Sequence, residues 1–147
     1  SANFVYSDIP QDYIFMSNSK RYGMMIADIN TNKHNAKIVA TSNITPTGDS
    51  FDYVLNYENL RDDVDVISDN SLIMLLKLLK NGGASKVVLA GFDGFSPNKS
   101  ENYYNEYLEL SADYDRLLNV NAEIKKKIAE MRKEIDIIFL TPSLYEE

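Results

Sequence analysis

The chain has no cysteine and no tryptophan, and its only histidine is His34. Without thiols there are no disulfides, no thiolate chemistry and no cysteine-ligated zinc, and one imidazole is too few for a histidine-built metal site. A serine or cysteine triad is excluded on the same inventory unless another chain brings the base. Long apolar runs are missing as well. No stretch of about eighteen apolar residues occurs and the first residues show no basic-then-apolar leader, so no passage into or through a membrane is expected, and the cytoplasm is the expected compartment. Positive charge is scarce: Lys and Arg number 15 against 22 Asp and Glu, for a net charge of −7. That balance works against phosphate-backbone attraction, so no nucleic-acid partner is expected.

What the chain does have is apolar content, 44% of 147 residues, enough for the core of a single domain over 1–147. The most informative stretch is 68–95. Ser68 and Asn70 are both plausible helix N-caps, the run Leu72, Ile73, Leu75, Leu76, Leu79 makes a broad helical face, and Gly82 and Gly83 stop it. Val87, Val88, Leu89 and Ala90 follow without polar alternation, as expected of a strand covered on both faces of a parallel sheet. This is half of a βαβ unit.

The same signals recur along the chain. Asp12 to Met16 reads as a short buried strand, Ser17, Asn18 and Ser19 as a turn and cap, and 20–29 as a helix. A second apolar strand at 37–40 is closed by Thr41, Ser42 and Asn43, and 51–57 is strand-like and suits an edge. A final helix over 111–133 leads into a strand at 135–140. Its apolar stripe, Leu117, Val120, Ile124, Ile128 and Met131, leaves Lys125, Lys126, Lys127, Arg132 and Lys133 as a solvated basic face. The acidic run Asp62, Asp63, Asp65 lacks the glycine and terminal glutamate of a calcium loop and reads as solvated. The order strand, helix, strand, strand, helix, strand, helix, strand predicts a three-layer, Rossmann-like α/β fold with a mostly parallel sheet. The strands at 37–40, 87–90 and 135–140 are expected in one sheet. Ala2 to Tyr6 looks like the tail of an opening strand, so the chain is expected to be a fragment that lacks its first strand–helix unit and therefore self-associates as a homo-oligomer.

In a parallel sheet the polar turns at the carboxyl ends of the strands gather at one edge, where open α/β sheets bind ligands. Those turns and the helix start supply Asn18, Lys20, Arg21, Asn43, Asn70, Ser71, Gly91 and Asp93, and the long loop that follows adds Asn102, Tyr103, Tyr104 and Tyr107. Amides, hydroxyls, one basic pair and one acid suit a nucleotide, a nucleotide-sugar or a sugar acid. The alternative for each Asn and Ser is a helix cap, for Lys20 and Arg21 ordinary surface charge, and for Asp93 a turn fixed through its own backbone.

Several segments carry a family resemblance: 12–22, 68–76, Val88 to Ser96 with Asn102 to Tyr104, and Phe139 to Ser143. They resemble the C-terminal domain of aldolase-like proteins of the HMG-CoA-lyase-like superfamily, described as 4-hydroxy-2-oxovalerate aldolases and found in bacterial surface-polysaccharide gene clusters. The resemblance implies a lyase whose catalytic barrel, with any divalent metal, lies outside this sequence. The present domain would then be an accessory with no cofactor of its own and the barrel as its partner. The helix and strand at 68–93 are also similar to the nucleotide-binding part of bacterial sialyltransferase-like glycosyltransferases. They depart from that pattern by Asn70 and Ser71 where Ser-Gly would fall and by Gly91-Phe92-Asp93 at the strand end. The functions in view are thus a non-catalytic ligand-binding domain, a glycosyltransferase-like enzyme, or a structural and oligomerising module.

Overall fold

The computed structural model describes residues 1–48, 50–98, 102 and 113–146. Tyr103, Tyr104, Tyr107 and the expected helix start at Ser111 lie outside the described residues. Among those described, the chain is an α/β protein in which every strand pairs in parallel, as a Rossmann-like fold requires. It divides into two compact units: Ser1–Arg61 with Asp69–Leu75, and Asp62–Ser68 with Leu76–Glu147.

The first unit holds β1 (Tyr13–Met16), α1 (Ser19–Asn32), β2 (Lys37–Thr41), β3 (Tyr53–Leu55) and the short α2 (Tyr57–Leu60). Its sheet runs β1-β2-β3, with Ile14 opposite Ile38 and Val39 opposite Tyr53. Ile14, Phe15 and Met16 are all buried, as expected of a strand covered on both faces. Asn18 starts α1 by accepting the Arg21 N–H at 2.9 Å, and the helix buries Tyr22, Met25 and Ile29 at helical spacing. Tyr53 and Val54 of β3 are exposed, as an edge strand allows. On the far side of β1, Phe15 N–H donates to Ser1 O at 2.9 Å and Asn3 N–H to Phe15 O at 2.7 Å. Ala2 thereby bridges Phe15 in parallel, which is the strand-like opening read in the sequence.

α3 (Ser71–Asn81) begins in the first unit, where Asn70 caps it by accepting the Leu72 and Ile73 N–H groups at 3.1 and 3.2 Å. It ends in the second. There Gly83 adopts φ +87° and the Ala84 N–H closes on Leu79 O at 3.0 Å, a left-handed stop that favours glycine. Ser68 is not the cap; it closes a 3-10 turn, Asp65–Ile67.

The second unit continues with β4 (Lys86–Leu89), α4 (Tyr114–Met131) and β5 (Asp136–Phe139). β4 and β5 pair in parallel, Val87 opposite Ile137 and Val88 opposite Ile138. Asp113 caps α4 through the Arg116 N–H at 2.8 Å. The stripe Leu117, Val120, Ile124, Ile128 and Met131 is buried together with Val87, Leu89, Ile137 and Phe139.

Three expectations need correction. β2, β4 and β5 do not share one hydrogen-bonded sheet: β2 belongs to the three-stranded sheet and β4-β5 form a second. Nor are β4 and β5 covered on both faces. They alternate exposed and buried, with Val88 53% and Ile138 38% exposed, because the buried stripe of α4 is matched by one face of the pair only. Finally, the acidic run and the basic helix face are not uniformly solvated. The Asp62 carboxylate is buried and pairs with Lys127 Nζ at 3.0 Å and Lys77 Nζ at 3.3 Å.

Candidate functional site

The residues singled out for ligand binding fall into two groups, one in each unit. In the first unit Asn18, Asn43, Asn70 and Ser71 all occupy strand-end turns or helix starts. Their polar groups are engaged within the protein. Asn18 and Asn70 cap α1 and α3. Asn43 Oδ1 accepts from Thr41 Oγ1 at 2.6 Å, and its amide donates to Ser17 O at 3.4 Å. The Ser71 hydroxyl accepts from Ser17 Oγ at 2.9 Å and from the Asn3 amide, which also contacts Ser17 Oγ at 3.3 Å. Ser17 and Thr41 are buried, so this group is a closed hydroxyl–amide network that ties residues 1–3, the end of β1 and the start of α3 together. Lys20 is exposed and Arg21 half-buried.

The second group is built where β4 and β5 end. Gly91 turns the chain at φ +74°, and its N–H donates to Thr141 Oγ1 at 2.9 Å. Thr141 Oγ1 also lies 3.4 Å from Asp93 Oδ1. The Leu144 N–H donates to Asp93 O at 2.9 Å, and Ser143 Oγ donates to Phe92 O at 2.6 Å. The turns after the two strands are thereby stitched into one surface, as their parallel alignment anticipates.

Beyond that surface the chain is held open by two asparagines. The Asn121 side chain, on α4, accepts the Phe95 N–H at 2.9 Å and donates to Phe95 O at 2.8 Å. Its oxygen also receives the buried Tyr145 hydroxyl at 2.9 Å. Asn102 does the same for the next residue, accepting the Ser96 N–H and donating to Ser96 O at 3.0 Å. Each amide satisfies both backbone groups of one loop residue, much as a neighbouring strand would. Gly94, immediately before the two loop residues so held, sits at φ +96° with Leu144 so close that an added Cβ would lie 2.8 Å from Leu144 Cδ1. Only glycine combines that φ with that contact.

The result is a cavity of about 460 Å³, within the range of about 300–1,000 Å³ of small-molecule sites. Tyr114, Leu118, Leu144 and Pro97 form its apolar wall; Asp93 and Asn121 are its polar side chains apart from Ser96. Tyr114 and Leu118 are 41% and 45% exposed. Large apolar side chains left open beside a carboxylate characterise a binding surface more than a core. Sequence reading identified Gly91, Asp93 and Asn102 but not Asn121, Tyr114, Leu118 or Leu144. Asn121 could have been found as the one amide in helical register with Leu117 and Ile124.

Chemically, the cavity offers one carboxylate, a phenol and an apolar wall. Among the described residues there is no group of three or more acidic or histidine side chains able to hold a metal ion, and no helix long and apolar enough to cross a membrane. Fold and site together define an α/β protein with a ligand-sized cavity at the carboxyl ends of two parallel strands. Comparison with protein-family models, curated proteins and solved structures finds no match.

Proposed function

We propose that this chain is a ligand-binding α/β domain, not catalytic by itself, that serves as the accessory C-terminal part of an aldolase-like protein of bacterial surface-polysaccharide or sugar-acid metabolism. Its ligand is a nucleotide, nucleotide-sugar or sugar acid, held at the carboxyl ends of β4 and β5. The observation that carries the binding role is the cavity itself, with Asp93 facing an exposed aromatic and aliphatic wall. Its loop is positioned by Asn121 and Asn102, each of which hydrogen-bonds both backbone groups of one loop residue. The aldolase setting rests on the sequence resemblance, as do the barrel partner, any metal that barrel holds and a cytoplasmic location. Homo-oligomerisation is supported by the apolar residues that β4 and β5 leave exposed, Val88 and Ile138.

The test is a thermal-shift screen of nucleotides, nucleotide-sugars, sugars and sugar acids, followed by an incubation in which any binder is assayed for turnover. Binding that raises the melting temperature with ligand concentration, and no product, is the expected result. Turnover of a nucleotide-sugar would favour the glycosyltransferase-like reading instead, and a screen without hits would leave a structural module as the better account.

A further inference from the structure

The walls of the cavity narrow the ligand further, on the footing that it is a binding site at all. A phosphate or sugar carboxylate is normally met by arginine, lysine or a helix N-terminus, because an anion leaving water needs charge-assisted donors. The described lining of this cavity contains no Lys or Arg and does contain the Asp93 carboxylate. An anionic group placed here would meet repulsion from Asp93 and no counter-ion among the described lining residues. A carboxylate is instead the natural acceptor for two adjacent hydroxyls, each donating to one oxygen. At the carboxyl end of a strand in nucleotide-binding α/β folds an acid plays this part toward a ribose. Among the described residues, Thr141 Oγ1 is the one hydrogen-bond neighbour of the Asp93 carboxylate, at 3.4 Å and to Oδ1 only. The acceptor capacity of the carboxylate is therefore largely open. The other walls, Tyr114, Leu118 and Leu144, offer flat and aliphatic surface, which suits the C–H face of a sugar ring or a nucleobase.

We infer that the β4/β5 cavity binds the uncharged, vicinal-diol part of its ligand, with the diol on Asp93 and the ring against Tyr114 and Leu118, and leaves any phosphate or carboxylate group outside. The diol has two sources, the ribose of a nucleoside and the ring of a neutral sugar. Nothing in the described lining requires the charged half of the molecule.

The test is calorimetric titration of the whole chain with uridine and adenosine, with their 5′-monophosphates, with 2′-deoxyuridine, with the neutral methyl glycosides of mannose and galactose, and with a sugar acid. Neutral nucleosides or neutral glycosides are expected to bind, and which of the two does so identifies the source of the diol. A 5′-phosphate is expected to change affinity by less than about threefold, and, for a nucleoside binder, loss of the 2′-hydroxyl is expected to weaken binding about tenfold, as removal of a hydrogen bond to a charged group does. Asp93→Asn and Tyr114→Ala, each shown by its melting curve to be folded, are expected to weaken binding about tenfold or more. If only the phosphates or the sugar acid bind, the inference is overturned while the binding role stands. Binding by neutral ligands that both variants leave unchanged would likewise overturn it. If none of the compounds binds, the binding role fails with it.

Discussion

Asn121 is a buried polar side chain of the second unit that holds both a loop and the C-terminal segment. Its three hydrogen bonds hold the Phe95 backbone and the buried Tyr145 hydroxyl, and the residue itself is only 9% exposed. Replacing it by leucine keeps the branched heavy-atom skeleton and removes every hydrogen-bond partner at once. Asn121→Leu is therefore expected to destabilise the chain by about 1–3 kcal/mol, the cost of leaving buried polar groups unsatisfied, and to speed hydrogen exchange at the Phe95 amide. A denaturant titration paired with amide exchange reads both, and a loss under about 0.5 kcal/mol with Phe95 still protected would mean that the loop is held by other contacts. Caps were legible in the sequence because Asn18 and Asn70 stand just ahead of an apolar helical period. Asn121 was not, since a regular stripe of leucine, valine and isoleucine draws attention away from the one amide within it. Asp93 and Gly91 could be placed at a strand end from pattern alone, whereas Tyr114 and Leu144 reach the cavity through packing that no local signal encodes.

Between elements, the decisive contact is the carboxylate of Asp62 set between Lys77 of α3 and Lys127 of α4. Burial by itself would raise this carboxyl, but hydrogen bonds from Lys127, the Val64 N–H and Lys77 outweigh it and hold it below its ordinary value. Lys127 is raised in turn, chiefly by its hydrogen bond to Asp62. A folded-state pKa below the unfolded one means that the stabilisation is complete above about pH 4 and is lost as pH falls through the folded value. Asp62→Asn is expected to cost about 1.5–3 kcal/mol at pH 7, in the range for hydrogen bonds to a charged group. That is less than the about 3–5 kcal/mol of a fully buried pair, because the lysines keep 25% and 24% of their surface. The difference between variant and parent should shrink as the pH drops below about 4. A pH-independent difference would assign the loss to packing instead. Asp63 and Asp65 are exposed, so a solvated acidic run was the right reading for two residues of three. Which one turns inward depends on loop closure, here the Asp62 N–H on Ser68 O at 2.9 Å. The strands show a similar limit. Val87 to Ala90 has the composition of a two-sided core strand, yet composition records what a strand tolerates and not how many layers cover it.

At the scale of the molecule, the α/β class and the parallel pairing followed from the alternation of apolar strands with capped helices, since such an order leaves few other ways to bury both kinds of element. The partition into a three-stranded and a two-stranded sheet did not. Nor did the pairing of residues 1–3 with β1, which joins segments more than ten residues apart and so is not reported by periodicity. The nine residues expected at one edge accordingly divide, six in the first unit with most of their side chains engaged in caps and network, three in the second around the cavity. The central claim is that the cavity at the ends of β4 and β5 is where this protein meets its ligand. It is tested most directly by amide chemical-shift mapping of the whole chain during titration with a ligand found in the screen. The largest shifts are expected at Gly91, Asp93 to Ser96, Leu118, Asn121 and Leu144, diminished in Asp93→Asn. Saturable shifts confined to Asn18, Asn43, Asn70 and Ser71, with the β4/β5 residues unmoved, would contradict it.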